Sequence, residues 1–389
     1  MPFQLQFEQR LPMGFPVEWD KESGKIRICV SEFVSSEDGD LLVSRLEGLS
    51  DMLFGAIKPA IIIDLAGVND FLAIVRPDGT GTLFMNEIEC FCWMQSKRDC
   101  KKGEPVSYDD IADVHRMRLR HAKADIDVPR DAGVAFFFPV KWRRGLYYDF
   151  SPLHPGKGQP RDRDLEVIFG QYYAYLAFQE RLRVTRQEMD QLIEERWFPF
   201  IALRQGTVQS MMNHLRSGRP VDELLDGIHD EVAKTLSAEL EKWERNPVFD
   251  GHMPILRTGA ERYHAGDYIS CVSVVFPRIE GVLLAYHLLE KLSGSLGRSA
   301  LVEAALVTNP NVQHENCLLL PQKFHTYLKT VFFARFDPKN PQELTRHTVT
   351  HGVTPVADFN KKGATLGFLV LSQLAYYLVP RGSATPTTL

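Results

Sequence analysis

Residues 143–164 read RRGLYYDFSPLHPGKGQPRDRD, and the pattern of apolar residues differs on the two sides of this stretch. Its prolines, glycines and charged residues are typical of a boundary between folded regions. Before it, short runs of β-branched and aromatic residues predict strands. After it, apolar residues recur every three or four positions, which predicts helices. The sequence therefore predicts an α+β protein, with a mixed α/β domain first and an all-α region after it.

The first domain is predicted to span residues 1–150. Residues 71–85 are predicted to form a β-hairpin, because Pro77, Asp78 and Gly79 provide turn chemistry between two strands. The predicted strands are Lys25–Val30, Ala60–Asp64, Phe71–Arg76 and Thr80–Met85, with a buried strand around Phe136–Phe138 and one helix over Asp38–Ile57.

The helical region is predicted to have two parts, a connecting region over 160–249 and a helical domain over 250–380. Residues 378–383 read LVPRGS, which resembles a thrombin cleavage site, so residues 380–389 are interpreted as a vector-derived tail. The predicted helices are Leu165–Arg183, Arg186–Trp197, Val208–Leu215, Val221–Trp243, His252–His264, Asp267–Leu292 (interrupted at Pro277), Ser299–Val307, Cys317–Phe336, Gln342–His351 and Lys361–Leu378.

The composition is that of a soluble globular protein. Of 389 residues, 44% are hydrophobic and 24% charged, and the net charge of −5 excludes a globally basic nucleic-acid binder. The six cysteines lack paired zinc knuckles, which favours reduced thiols. The opening residues do not resemble a secretory signal, and Leu366–Val379 is too short and too polar to span a bilayer. We expect a cytoplasmic protein with no membrane partner and no cofactor.

The strongest candidates for catalytic or phosphate-binding residues lie in residues 341–352, PQELTRHTVTHG. Pro341 suits the first turn of a helix and Gly352 suits its end. On such a helix Arg346, His347 and His351 lie at about 0°, 100° and 140°, so they share one face. A guanidinium offers a fork to phosphate oxygens, and imidazoles titrate near neutral pH. The three side chains could therefore bind a phosphodiester and move protons around it.

The spacing R-x4-6-H has little specificity by itself. Arg116 with His121 and Arg257 with His264 also satisfy it in this chain. The polar neighbour His347, the terminal glycine and the following apolar helix select Arg346–His351. The alternative interpretation is purely structural: a histidine that caps the helix end and an arginine paired with Glu280 or Glu343.

The 341–352 stretch resembles the ribonuclease branch of the HEPN superfamily, whose motif is R-x4-6-H with a polar residue after the arginine. Asp267-Tyr268 after a helix ending at Gly266, and Arg278-Ile279-Glu280-Gly281 in the next helix, are similar to the corresponding strings of such proteins. The resemblance covers about 130 residues, 250–380, and we identify none for residues 1–160.

This resemblance implies metal-independent cleavage of RNA. His351 would act as general base or acid at the ribose 2′-OH and the leaving 5′-oxygen. Arg346 would stabilise the phosphorane charge, an effect of about 3 kcal/mol in comparable sites. His347 would orient the substrate or take part in proton transfer. Glu280 and Arg278 would support the site, with Glu280 positioning Arg346.

Two functional hypotheses follow from the resemblance. The first is an endoribonuclease, acting as a toxin or antiphage effector and regulated by the N-terminal domain or an antitoxin. The second is a non-catalytic HEPN-like dimeric scaffold or RNA-sensing module. Both imply a homodimer with RNA as substrate or ligand. Residues 251–380 carry 12 Lys and Arg against 9 Asp and Glu and seven of the 12 histidines, a local positive charge that suits a phosphate ligand.

Overall fold

The computed structural model describes residues 1–7, 14–60, 63, 65–154, 159–307, 316–334 and 344–380. Strands dominate the first part of the chain and helices the second, so the predicted α+β class is confirmed. The described strands are β1 Phe3–Gln6, β2 Phe15–Asp20, β3 Lys25–Cys29, β4 Ser31–Ser35, β5 Phe71–Val75, β6 Thr80–Met85, β7 Glu89–Ser96, β8 Ile111–His121, β9 Ala124–Asp125, β10 Gly133–Val140 and β11 Arg143–Asp149. The described α-helices are α1 Asp40–Gly55, α2 Leu165–Ala177, α3 Gln179–Leu182, α4 Arg186–Glu194, α5 Gln205–Arg216, α6 Leu225–Glu244, α7 Met253–His264, α8 Tyr268–Leu289, α9 Arg298–Leu306, α10 Pro321–Tyr327, α11 Arg346–Thr350 and α12 Lys361–Tyr377.

Six strands form an antiparallel sheet in the order β1-β6-β5-β10-β11-β4. The predicted 71–85 hairpin is confirmed: β5 and β6 pair around a turn in which Gly79 has a φ of +84°. That left-handed conformation favours glycine because it has no Cβ. The predicted strand Ala60–Asp64 lies largely outside the described residues.

The sheet is covered on both faces, which explains the uninterrupted apolar run in β10. Phe137 joins the core cluster that includes Leu49 and Leu53 of α1. Phe136, on the other face, contacts Phe169 of α2 with ring centroids 4.9 Å apart. Successive side chains of a strand point to opposite faces, so a strand covered on both sides is apolar throughout.

The chain divides into two compact units, and the division differs from the three predicted domains. The first unit comprises 1–93 and 114–177, and the second comprises 94–113 and 178–389. Helix α2 therefore belongs with the sheet, because its aromatic residues cover one sheet face. The predicted connecting region and the predicted C-terminal helical domain share one unit from residue 178 onward.

Helix α8 is the central helix of the second unit, where it packs against α7, α9, α11 and α12. Close approach is possible because Gly259 of α7 and Gly367 of α12 both face Val275: a Cβ on either would lie within 3.0 Å of its methyl groups. By length and composition α8 could also cross a membrane. Within the second unit its buried residues are Cys271, Val272, Val275, Phe276, Ile279, Val282, Leu283, Tyr286 and His287.

Several helix predictions were wrong in detail, among them the single helix predicted over Leu165–Arg183, which is divided at Phe178 into α2 and α3. Helix α8 runs through Pro277 without a break; burial of Phe276 and Ile279 beside it holds the helix together although one backbone N–H is missing. The helix predicted from Cys317 begins only at Pro321, a residue that suits the first helical turn. Leu320 before it adopts a left-handed conformation, with a φ of +54°.

Candidate functional site

Helix α11, which carries the predicted site, is fixed at its start by a reciprocal cap. The Thr345 hydroxyl accepts a hydrogen bond from the Thr348 backbone N–H at 3.1 Å, and the Thr345 backbone N–H donates to the Thr348 hydroxyl at 2.9 Å. Both threonines are buried. The helix therefore begins at Arg346, later than the predicted Gln342, because a threonine cap competes with a continuing helix. Pro341 and Gln342 lie outside the described residues.

The end of α11 is as predicted. His351 is the C-cap, and Gly352 follows it with a φ of +67°. The Val353 N–H donates to the Thr348 carbonyl at 3.0 Å, which satisfies a carbonyl that the helix leaves open. A five-residue helix held at both ends thus presents Arg346, His347 and His351 together.

Arg346 is held by an acidic residue of the central helix. Its Nε lies 2.7 Å from Glu280 Oε2 on α8, and the two side chains are 22% and 23% exposed. The angle between the groups is not that of a hydrogen bond, so the contact is an ion pair. This contact fits both interpretations: a purely structural Arg346–Glu280 pair, and a Glu280 that positions a functional Arg346. Glu343, the other partner considered for Arg346, lies outside the described residues.

The two histidines present parallel rings. The imidazoles of His347 and His351 have centroids 6.1 Å apart and planes inclined by 1°. His347 is half-buried, whereas His351 is exposed. Burial lowers the pKa of His347 below its usual value, and the charges of Arg298 and Arg346 and the neighbouring His351 lower it further. His347 is therefore neutral at physiological pH.

Sequence reasoning missed Arg298, the first residue of α9. Its Nη1 lies 3.0 Å from His347 Nδ1. Because a guanidinium has donors only, Nδ1 must accept this hydrogen bond, and the neutral ring then carries its proton on Nε2. Arg298 is 48 residues from Arg346 in sequence and belongs to no spacing motif; only the packing of α9 against α8 places it here.

Arg278, the fifth predicted site residue, does not lie with Arg346, His347, His351 and Glu280. It is two positions from Glu280 on α8, which turns it about 200° around the helix. Its charge acts on His252: burial lowers the pKa of that histidine first, and Arg278 lowers it further. The structure thus brings together Arg346, His347, His351 and Glu280, and adds Arg298.

Two other R-x4-6-H pairs of the chain, Arg116 with His121 and Arg257 with His264, include three side chains that contact carboxylates. In the first unit, Arg116 contacts Asp164, and His121 Nε2 lies 2.8 Å from Glu87. In the second unit, Arg257 contacts Glu244. Among the described residues, no group of three or more His, Cys, Asp or Glu is arranged to hold a metal ion.

Comparison with known proteins identifies no relative of this chain. The chain matches no family model, and it has no significant match among curated proteins or among solved structures.

Proposed function

We propose that this protein is a metal-independent endoribonuclease of HEPN type, with Arg346, His347 and His351 as its catalytic residues. The observation that supports this most is the pair of parallel imidazoles, 6.1 Å apart, flanked by the guanidinium groups of Arg346 and Arg298. Two cations bind a phosphodiester, and two imidazoles of different exposure serve different roles.

The proposed reaction is an internal transesterification. His351 takes the proton of the ribose 2′-OH as that oxygen bonds to phosphorus, and returns a proton to the 5′-oxygen as the P–O5′ bond breaks. The products are a 2′,3′-cyclic phosphate and a free 5′-OH, and no water or other reactant is consumed. Arg346 balances the charge of the phosphorane.

His347 has an orienting role in this proposal. Since Arg298 donates to Nδ1, the Nε2–H of His347 is the group offered to a phosphate oxygen. The lowered pKa of His347 keeps it a neutral donor. Glu280, through its ion pair, acts as a positioning residue for Arg346.

We further propose that the enzyme is a cytoplasmic toxin or antiphage effector. It would act as a homodimer, and the N-terminal part of the chain or an antitoxin would restrain its activity. Leu288, Leu289 and Leu296 are exposed near the end of α8, and apolar side chains exposed together are typical of an interface. If His351→Ala fails to relieve toxicity on expression, the catalytic role is excluded.

The second candidate is a non-catalytic dimeric scaffold or RNA sensor. The Arg346–Glu280 pair favours it, because an arginine already engaged by a carboxylate also has a structural role. This candidate retains RNA binding and dimer formation but predicts no cleavage.

The test is cleavage of total tRNA and of a labelled single-stranded RNA in EDTA. Wild type, Arg346→Ala and His351→Ala are compared, with His264→Ala as matched control because His264 is an exposed helical histidine of the same unit. We expect wild type and the control to cut, and both site variants to lose at least about a hundredfold in rate. Cutting by His351→Ala at the wild-type rate would exclude the proposed site. No cutting by wild type, with RNA still bound, would favour the scaffold.

A further inference from the structure

The second unit contains a cavity of about 490 Å³ that shares no lining residue with the Arg346 site. Three segments form it: residues 95–100, which are the end of β7 and the loop after it, residues 239–247 at the end of α6, and the last turn of α12 with the residues that follow. Its volume falls within the range of small-molecule sites, roughly 300–1,000 Å³.

One wall of the cavity is aromatic and apolar. Trp243 is 1% exposed and stacks on Phe249, with ring centroids 5.4 Å apart and planes inclined by 19°. Ala375, Tyr376 and Pro247 extend this wall. The Trp243 Nε1 is buried and has no hydrogen-bond partner among the described residues. Buried indole N–H groups usually have an acceptor, so this wall offers a donor whose acceptor must come from elsewhere.

A second wall carries a cation without a contacting carboxylate. The Lys97 ammonium donates to the Leu203 carbonyl at 3.4 Å. The buried guanidinium of Arg181 shares that carbonyl, and its remaining bond goes to the Pro199 carbonyl. Within the described part of the chain, neither cation forms an ion pair. Glu239 also lines the cavity, but it is paired with Lys242.

Burial of Lys97 and Arg181 disfavours the charged forms of both side chains. Burial is the main cause, and the charge of Arg181 the second, of a pKa of Lys97 that is lowered to about 7. The carboxylates that face Lys97 and act in the opposite direction are Asp109, Glu231 and Glu239. Burial likewise lowers the pKa of Arg181, to about 10. An anion bound in the cavity beside Lys97 would stabilise the charged form of that lysine.

We propose that this cavity binds a small aromatic acid, with its ring system against the apolar wall at Ala375 and Tyr376 and its anionic group beside Lys97. The ligand's apolar body matches the aromatic wall, and its carboxylate, sulfonate or phosphate supplies a contacting counter-charge, which Lys97 does not have among the described residues. Binding therefore takes up a proton at Lys97 when the free lysine is neutral.

The first test uses two probes on the full chain: 8-anilino-1-naphthalenesulfonate and its uncharged relative N-phenyl-1-naphthylamine. We expect Lys97→Met to weaken binding of the sulfonate by about tenfold or more and to leave the neutral probe unchanged. Lys102→Met, an exposed lysine of the same segment, should change neither. Equal sulfonate affinity in wild type and Lys97→Met, or equal loss of both probes, would overturn the proposal.

The second measurement is the pH dependence of sulfonate binding. Wild-type affinity should fall from about pH 6 to about pH 9 as Lys97 loses its proton, and Lys97→Met should show a flat profile. A flat wild-type profile would contradict the proposal.

If Lys97→Met does not fold, reductive methylation of wild type replaces it. The sulfonate should slow methylation of Lys97 and leave Lys102 unaffected, whereas unchanged methylation of Lys97 would overturn the proposal.

Discussion

The two units differ in how they treat buried and clustered cations. In the first, the buried Arg161 donates to Asp149 at 2.7 Å and to the Ala132 carbonyl at 2.9 Å. In the second, the buried Arg181 donates to the carbonyls of Pro199 and Leu203, and no carboxylate among the described residues contacts it. A buried charge needs a partner of opposite sign. The first unit provides it in direct contact, whereas in the second unit Asp109 and Glu231 act on Arg181 without forming an ion pair with it among the described residues.

A similar contrast separates the arginines of β8 from Arg298 of α9. Strand β8 carries the basic run HRMRLRH, which as sequence is the most basic stretch of its region. Yet Arg116, Arg118 and Arg120 all contact carboxylates, those of Asp164, Glu166 and Asp125. In the second unit Arg298 contacts a neutral histidine. Charge density in sequence is therefore a poorer guide to a phosphate site than the partners that each cation has.

The largest effect should come from breaking the pair in the first unit. Arg161→Met leaves Asp149 buried beside no cation, which should lower the free energy of unfolding by about 3–5 kcal/mol. Arg181→Met removes a cation and takes its donor from the Pro199 carbonyl, while Lys97 still donates to the Leu203 carbonyl, a loss of about 2 kcal/mol or less. Urea denaturation followed by circular dichroism measures both; equal losses would remove the distinction between the units.

The next effect concerns the positioning of Arg346. Glu280→Gln should lower the rate of RNA cleavage by about tenfold, chiefly in kcat, because Arg346 stays present but loses its fixed orientation. Arg278→Gln is the matched control, since that side chain lies beside His252, and it should leave the rate unchanged. Single-turnover kinetics separates the two variants. A loss on Arg278→Gln with none on Glu280→Gln would contradict this geometry.

A smaller effect is expected in the titration of His347. Arg298→Gln should raise the pKa of His347 toward its usual value without restoring it fully, because burial is the larger cause of the shift. As the folded-state pKa is lowered, the unfolded state binds the proton first when the pH falls through about 6.5. His347 therefore reduces stability below that pH. NMR titration of its ring tests this; an unchanged pKa in Arg298→Gln would show that the contact has no electrostatic effect.

The sequence predicted the parts of this architecture that depend on local pattern. The 71–85 hairpin follows from its turn residues, and the end of α11 follows from Gly352, because both need only neighbouring residues. The position of Arg346, His347 and His351 on one short helix was predictable for the same reason.

Long-range packing was not predictable from one sequence. Arg298 reaches His347 only because α9 and α11 both pack on α8. Lys97 enters the second unit because residues 94–113 leave the strand region and join the helices. The continuity of α8 at Pro277 likewise depends on the buried residues around it rather than on local propensity.

The most direct test of the account measures RNA affinity after arginines of either unit are replaced. All variants also carry His351→Ala, so that the RNA is not cleaved during the measurement. One double variant, Arg298→Gln/Arg346→Gln, changes the second (helical) unit, and the other, Arg116→Gln/Arg118→Gln, changes the first (sheet) unit. Their affinities for a fluorescent single-stranded RNA are compared by anisotropy at several salt concentrations. We predict that the helical-unit pair loses about tenfold or more in affinity and shows a shallower salt dependence, while the sheet-unit pair stays within about twofold of the background protein. The opposite outcome, with binding lost only through the sheet-unit arginines, would contradict the account.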